Sequence, residues 1–188
     1  VQFESVMADV KKVVNFDTPE QVGQMSKDVL LMSTRIPMGA DGIGAIVAAA
    51  GQAGIAREEL LRFAEDAAKM GVAFDLSGEQ AGAAMTGLRS IFGLTQDQVV
   101  LLGDAINHLS NNMDAKAGDL LNISNRVGST AKLFGLSGAQ VNALGASFLA
   151  LKTKPEVAAT GINALLMKLA TADKQGAKFQ EGLFSIGM

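Results

Sequence analysis

The chain has 188 residues, of which 48% are hydrophobic and 19% are charged, and its formal net charge is −3 at pH 7. This charge, with no basic run longer than Lys11-Lys12, argues against sequence-specific nucleic-acid binding, which needs a basic surface. The absence of Cys excludes disulfides, thiol catalysis and cysteine metal sites, and it leaves the compartment open.

Apolar residues in the first part of the chain recur at helical spacing, at Phe3, Val6, Val10 and Val13. A second helix is expected to start at Thr18, with Gln21 at the capping-box position, and to end at Pro37. Residues 38–42 are expected to form a loop, and residues 43–53 a short Ala-rich helix.

Two segments repeat one pattern: residues 92–99 read FGLTQDQV and residues 134–141 read FGLSGAQV. Both are interpreted as helix joints. The glycine ends one helix in a left-handed conformation, the hydroxyl residue caps the next helix, and Gln closes a capping box. The Leu before the cap stands at the staple position. The joint residues are Gly93, Leu94, Thr95 and Gln98 in the first segment and Gly135, Leu136, Ser137 and Gln140 in the second.

Related joints are expected at Ala56 and Ser77, and Asp114 is the expected cap after the break at residues 111–113. These joints lie about one helix plus a turn apart, which is typical of helices stacked through short connections. No stretch alternates with period two long enough to form a strand. We therefore predict an all-α fold, a compact multi-helix bundle of about eight to ten short capped helices.

Apolar stripes on the last long helices are expected to face the core. They comprise Leu120, Ile123, Val127, Ala131 and Phe134; then Val141, Leu144, Phe148 and Leu151; then Ala158, Ile162, Leu165 and Leu169. Residues 179–184 are expected to form a short amphipathic tail.

The whole chain, residues 1–188, is expected to form a single helical domain with a sub-boundary near residues 37–42. It lacks an initiator Met and its last residues read SIGM, so we expect a fragment of a longer polypeptide.

No catalytic, cofactor or metal site is predicted. His108 is the only histidine, and it lies near a helix end, where a cation or a donor to the last carbonyls is favourable. A catalytic triad or a metalloprotease histidine pair would need partners around it. Glu65 and Asp66 are interpreted as a solvated helix face, with a metal site as the weaker alternative. Residues 111–112 are interpreted as a helix-ending turn, with partner binding as the weaker alternative.

Gly103 and Gly145 occupy matching positions inside helices, eight residues after Thr95 and Ser137. Each costs about 1 kcal/mol relative to Ala. Close helix–helix approach is our main interpretation, and a point where the helix bends or melts is the alternative. A helical protein with many interior glycines is expected to be modestly stable alone and to depend on oligomerisation or on a surrounding tube.

The order of these segments resembles the shared core of tail tape-measure (minor tail) proteins of long-tailed bacteriophages. The segments that carry the resemblance are residues 53–60 (AGIAREEL), 76–81 (LSGEQA), 106–115 (INHLSNNMDA) and 134–137 (FGLS). Together they span much of the chain, and their order is more specific than any one of them.

The resemblance implies a structural, non-enzymatic virion protein that lies in the tail lumen or tip. Such proteins set tail length during assembly in the host cytoplasm, leave the tail at infection and aid passage of the genome. The implied partners are tail tube and tail tip or baseplate proteins, assembly chaperones and further copies of the chain, with a trimer as one form. Contact with the host membrane is a further expectation, and no cofactor is implied. The alternatives are a helical adaptor domain and a membrane-active helical domain.

Overall fold

Ten α-helices and one short 3-10 helix, without any strand, make up residues 2–187, the part of the chain that the computed structural model describes. The all-α prediction and the predicted number of helices are confirmed. The expectation that the chain is a fragment of a longer polypeptide concerns its two ends, and Val1 and Met188 lie outside these residues. The α-helices are α1 (Gln2–Val13), α2 (Pro19–Ser33), α3 (Ala40–Gln52), α4 (Arg57–Phe74), α5 (Gly78–Phe92), α6 (Gln96–Asn112), α7 (Ala117–Leu133), α8 (Gly138–Ala150), α9 (Pro155–Ala170) and α10 (Ala177–Ser185), with the 3-10 helix at Ala172–Lys174.

The chain divides into two compact units between Asn107 and His108, and this boundary falls inside α6. The first unit contains α1 to α5 and most of α6, and the second contains α7 to α10. The single domain over residues 1–188 and its sub-boundary near residues 37–42 stay predictions.

In the first unit α3 is the central helix, and it packs against α1, α2, α4 and α5. Ile43, Ile46 and Val47 are fully buried on it. Glycines on α3 let α1 lie directly against it: a Cβ added to Gly44 would lie 2.7 Å from Val6, and one added to Gly51 would lie 2.6 Å from Val14. Small residues on α3 therefore decide how closely the unit packs.

A close helix crossing in this unit joins α3 to α5. A Cβ on Gly78 would lie 2.0 Å from the carbonyl oxygen of Gly42, and one on Gly82 would lie 3.2 Å from the Cα of Ile46. Because real Cβ atoms do not approach backbone atoms that closely, any side chain at position 78 would push the two helices apart.

In the second unit α7 is the central helix and packs against α8 and α9. Leu120, Ile123 and Val127 are fully buried on it. The core also contains a polar pair: the Ser124 hydroxyl donates to Asn142 Oδ1 at 3.1 Å, and both residues are fully buried. Asn142 Nδ2 in turn donates to the carbonyl oxygen of Gly138 at 2.8 Å, so the buried amide has partners on both sides.

Two helix boundaries differ from those expected. α2 ends at Ser33, before Pro37, and the chain then bends so that Ile36 is buried. α3 begins at Ala40, so the predicted loop at residues 38–42 is wrong in its second half. The physical reason is that small residues at the start of α3 pack on α5 and make that turn part of the core.

Three residues expected in the core are exposed instead. Phe134 is 38% exposed, Leu151 is 78% exposed and Leu165 is 43% exposed. On α8 the buried face includes Val141, Gly145 and Leu149, and Leu151 follows the end of the helix at Ala150, where it is exposed. On α9 the buried face is shifted by one residue, to Leu166.

One expected helix cap is wrong, and another lies at its expected N-cap position without the expected side-chain bond. Asp114 does not cap a helix, because α7 starts at Ala117 and the Asp114 carboxylate pairs with the ammonium group of Lys152. Thr18 precedes α2 but makes no side-chain cap, and Gln21 Oε1 instead accepts from the backbone N–H of Asp17 at 2.8 Å.

Candidate functional site

The helix joints contain reciprocal side-chain caps. At Thr95, the backbone N–H donates to Gln98 Oε1 at 2.9 Å and the hydroxyl accepts from the Gln98 backbone N–H at 3.3 Å. Ser137 and Gln140 exchange the same two bonds at 2.9 and 3.3 Å. Each box satisfies two backbone donors that a helix start would otherwise leave free. Ser77 and Gln80 form a third box, at 2.9 and 3.2 Å.

The residues before these caps adopt left-handed backbone conformations. Gly93 has φ 66° and Gly135 has φ 77°. Two residues without the glycine signal adopt the same conformation: Asp75 has φ 55° before the Ser77 box, and Lys152 has φ 63° after α8. Asp tolerates this region better than most residues, whereas nothing in the local sequence around Lys152 indicates it. Leu94 and Leu136 are both half-buried between the glycine and the cap.

Gly103 and Gly145 have different surroundings despite their matching positions. A Cβ on Gly145 would lie 3.1 Å from Cδ1 and 3.3 Å from Cγ2 of Ile123, so α8 approaches α7 closely there. A Cβ on Gly103 would meet only Met70, at 3.6 Å from its sulfur, which is ordinary contact. Close packing within the chain therefore explains why position 145 is glycine, but it does not explain the glycine at position 103.

A surface pocket of about 160 Å³ lies beside Gly103, between α4, α5 and α6. Its apolar lining includes Met70, Phe74 and Met85, and its polar rim includes Lys69 and Asp104. This pocket has no local signal in the sequence, because its lining comes from three helices.

Arg57 joins three segments of the first unit and was not singled out by sequence reasoning. Its Nη1 donates to the carbonyl oxygen of Asn15 at 3.1 Å, to Asp17 Oδ2 at 2.8 Å and to Gln21 Oε1 at 2.9 Å. The hydrogen bond from Arg57, followed by one from Gln21, lowers the pKa of Asp17 from its ordinary value. These contacts hold the α1–α2 connection against the start of α4.

The acidic residues and the histidine weighed from the sequence have structural partners. Glu65 accepts from Lys69 at 2.8 Å, and this hydrogen bond lowers the pKa of Glu65. Asp66 accepts from Gln96 Nε2 at 2.7 Å. The carbonyl oxygen of His108 accepts from Asn112 Nδ2 at 2.8 Å near the end of α6. Within residues 2–187, no group of three His, Cys, Asp or Glu residues is placed to hold a metal ion.

Large apolar side chains are exposed in the second unit. Leu133 and Phe184 are each 85% exposed, and Ile186 is 70% exposed. Among residues 2–187, no helix combines the length and the hydrophobicity that crossing a bilayer would require.

Comparison with known proteins places the chain among phage tail components. Residues 26–188 match the protein family described as phage-related minor tail protein. The chain is 38% identical over 191 residues to a probable tape measure protein of Halomonas phage phiHAP-1, an alignment that covers 93% of this chain and 22% of the relative. The chain therefore spans about a fifth of that relative's length. No solved structure matches it.

Proposed function

The chain belongs to the family of phage-related minor tail proteins, and from this premise we propose that it is a core domain of a tail tape-measure protein. It acts as a structural, non-enzymatic component of the virion tail. The observation that carries the proposal is the family match, which extends over most of the chain.

Within a longer tape-measure chain, this segment serves as a docking scaffold. The capping boxes at Thr95 and Ser137 and the glycine crossing at Gly78 define compact helical packing, which suits a surface that holds other proteins in register. In the proposed role it binds tail tube and tail tip proteins in the tail lumen, after assembly chaperones have held it in the host cytoplasm. It associates with further copies of itself, as a trimer or another small oligomer.

The remaining steps concern the full-length protein. As part of that longer chain, the segment takes part in setting tail length. It leaves the tail at infection and aids passage of the genome into the cell. None of these steps needs a cofactor or a catalytic group.

Mass spectrometry of purified virions tests the proposed location. Peptides from residues 1–188 should be present in intact particles and depleted in particles that have ejected their genome. Peptides from the tail tube protein, retained in both samples, are the internal control. Absence of the segment from intact virions would refute the structural role.

An in-frame deletion of the segment from its reading frame tests the role in assembly. We expect loss of tails, or tails of irregular length in electron micrographs, because the remaining chain would no longer dock. Normal tails of unchanged length would contradict the proposal.

A second candidate function is membrane activity after ejection, favoured by the exposed Leu133, Leu151 and Phe184 of the second unit. Dye release from anionic liposomes by the purified chain distinguishes it. Leakage that disappears in a Leu133→Asp, Phe184→Asp double variant, and persists in a Leu31→Asp control, would support this candidate. Absence of leakage at every protein concentration would eliminate it.

A further inference from the structure

The helix α6 runs from the first compact unit into the second, and its middle borders a pocket. We propose that α6 contains a built-in bending point at Gly103, where the helix opens and bends while both units stay folded. Since the residues after this point continue into the second unit, a bend there changes the direction in which the helix enters that unit. This conformational property goes beyond the proposed structural role and does not depend on it.

Glycine at position 103 weakens α6 without being required by packing. It is the only glycine in this helix, and it lies near the helix centre. A Cβ there would lie 3.6 Å from the sulfur of Met70, which is an ordinary contact. Glycine leaves the backbone more conformational freedom than any other residue, so an interior glycine makes a helix easier to open at that place.

The pocket beside Gly103 gives the helix room to bend. Its volume is about 160 Å³, and α6 contributes Val100, Gly103, Asp104 and Asn107 to its lining. At these spacings the four residues fall on one face of the helix over about two turns. Side chains that border a gap lack the packing contacts that would otherwise hold them in place. One face of α6 therefore borders open space on both sides of the glycine.

Few close contacts with other helices oppose such a bend. Among residues 2–187, the closely packed pairs of helices lie within α1 to α5 or within α7 to α10, and α6 belongs to none of them. Val99, Leu102 and Ile106 are buried and hold one side of α6. A bend toward the pocket keeps these three side chains buried, so it breaks fewer contacts than unfolding of the unit does.

Both ends of α6 are held by specific hydrogen bonds. The capping box of Thr95 and Gln98 closes the start of the helix, with bonds of 2.9 and 3.3 Å. Near the end, Asn112 Nδ2 donates to the carbonyl oxygen of His108 at 2.8 Å. Fraying from either end loses one of these bonds, whereas opening at Gly103 keeps both. The weakest place in α6 is therefore its middle.

Native-state hydrogen exchange of the complete 188-residue chain, resolved by NMR, tests the bending point. The amides of residues 104–107 have helical hydrogen bonds that span or end at Gly103. They should exchange about tenfold faster, or more, than the amides of Ile43 and Ile46 in the core of the first unit. They should also exchange faster than the amides of residues 109–111, which lie nearer the end of α6. Fraying from that end would give the opposite order and overturn the proposal.

A pair of glycine variants separates local opening from global unfolding. Gly103→Ala should slow exchange at residues 104–107 by about fivefold, which corresponds to the helix-propensity difference of about 1 kcal/mol between Gly and Ala. Gly23→Ala on α2 is the matched control, because its added Cβ has no atom within 4 Å. It stabilises the folded chain without stabilising α6, so exchange at residues 104–107 should stay unchanged. If Gly23→Ala slowed these amides as much as Gly103→Ala does, they would exchange through global unfolding, and no bending point would exist.

Because the chain has no Cys, spin labels on two introduced cysteines can measure the bend directly. Glu79→Cys with Asn111→Cys spans the bending point. The control is Glu79→Cys with Leu101→Cys, which lies on α6 before Gly103, and all three positions are exposed. Double electron–electron resonance should give a broader distance distribution for the first pair than for the control. Gly103→Ala should narrow that distribution, and Gly23→Ala should not. Equal widths for the two pairs, or a width for the first pair that Gly103→Ala leaves unchanged, would overturn the proposal.

Discussion

Two glycines at matching sequence positions have different structural reasons. Gly145 lies where Ile123 leaves no free space, and Gly103 lies where a Cβ would be tolerated. We predict that Gly103→Ala stabilises the chain by roughly 1 kcal/mol through helix propensity. The same change at Gly145 should give no gain, because the gain is offset by crowding against Ile123.

Urea unfolding monitored by circular dichroism measures this difference. Gly23→Ala, in α2 with no atom within 4 Å of the added Cβ, is the control for helix propensity alone. Equal stabilisation at positions 103 and 145 would mean that the contact with Ile123 relaxes without cost.

A second prediction at this scale concerns Asp17. Because Arg57 lowers its pKa in the folded state, ionised Asp17 stabilises the folded state above the unfolded pKa of about 3.9. That stabilisation is lost as the pH falls through the lowered folded pKa. Asp17→Asn should therefore reduce stability at neutral pH, and the deficit should vanish at low pH.

Urea midpoints between pH 7 and pH 3 provide the measurement. In an Arg57→Met background, the pH-dependent deficit of Asp17→Asn should be smaller, because the partner that lowers the pKa of Asp17 most is gone and only Gln21 still lowers it. A deficit that persists unchanged to low pH in the chain with Arg57 would contradict the assignment.

At the scale of helices, the capping boxes are predicted to contribute separately to stability. Thr95→Ala and Ser137→Ala should each cost about 1 kcal/mol, since each leaves a helix-start N–H without its acceptor. Ser129→Ala, at an exposed position on α7, is the matched control and should be neutral or slightly stabilising. If Ser129→Ala lowered the stability as much as Thr95→Ala or Ser137→Ala, the capping boxes would make no specific contribution to stability.

The crossing of α3 and α5 leaves no room for a side chain at position 78. Gly78→Ala should destabilise the first unit by several kcal/mol, because the Cβ would overlap the carbonyl of Gly42 and the helices must separate. Gly23→Ala adds the same methyl group in open space and should be stabilising. Thermal unfolding that is unchanged by Gly78→Ala would contradict the observed crossing.

The capping boxes could be predicted because they join residues three positions apart. The hydrogen bonds between Ser137 and Gln140 follow from the local geometry of a helix start alone. In contrast, the contact of Gly78 with Gly42 and that of Arg57 with Asp17 join residues far apart in sequence, and periodicity contains no information about such pairs. The exposure of Leu151 was also beyond sequence reasoning, because its spacing continues the apolar stripe of α8 although the helix ends at Ala150.

For the whole molecule, the remaining question is whether the two compact units unfold together. The chain contains no Trp and no Tyr, so one introduced Trp reports on one unit. Phe92→Trp places the probe in the first unit and Phe148→Trp places it in the second. The predicted single domain requires the same urea midpoint for both probes and for circular dichroism, since a single cooperative transition gives coincident curves. Because the unit boundary falls inside α6, whose turns are hydrogen-bonded in series, we expect this coincidence. Gly78→Ala should then lower both midpoints by the same amount. Two separate midpoints, of which Gly78→Ala lowers only that of Phe92→Trp, would replace the single domain by two domains that meet at residues 107 and 108.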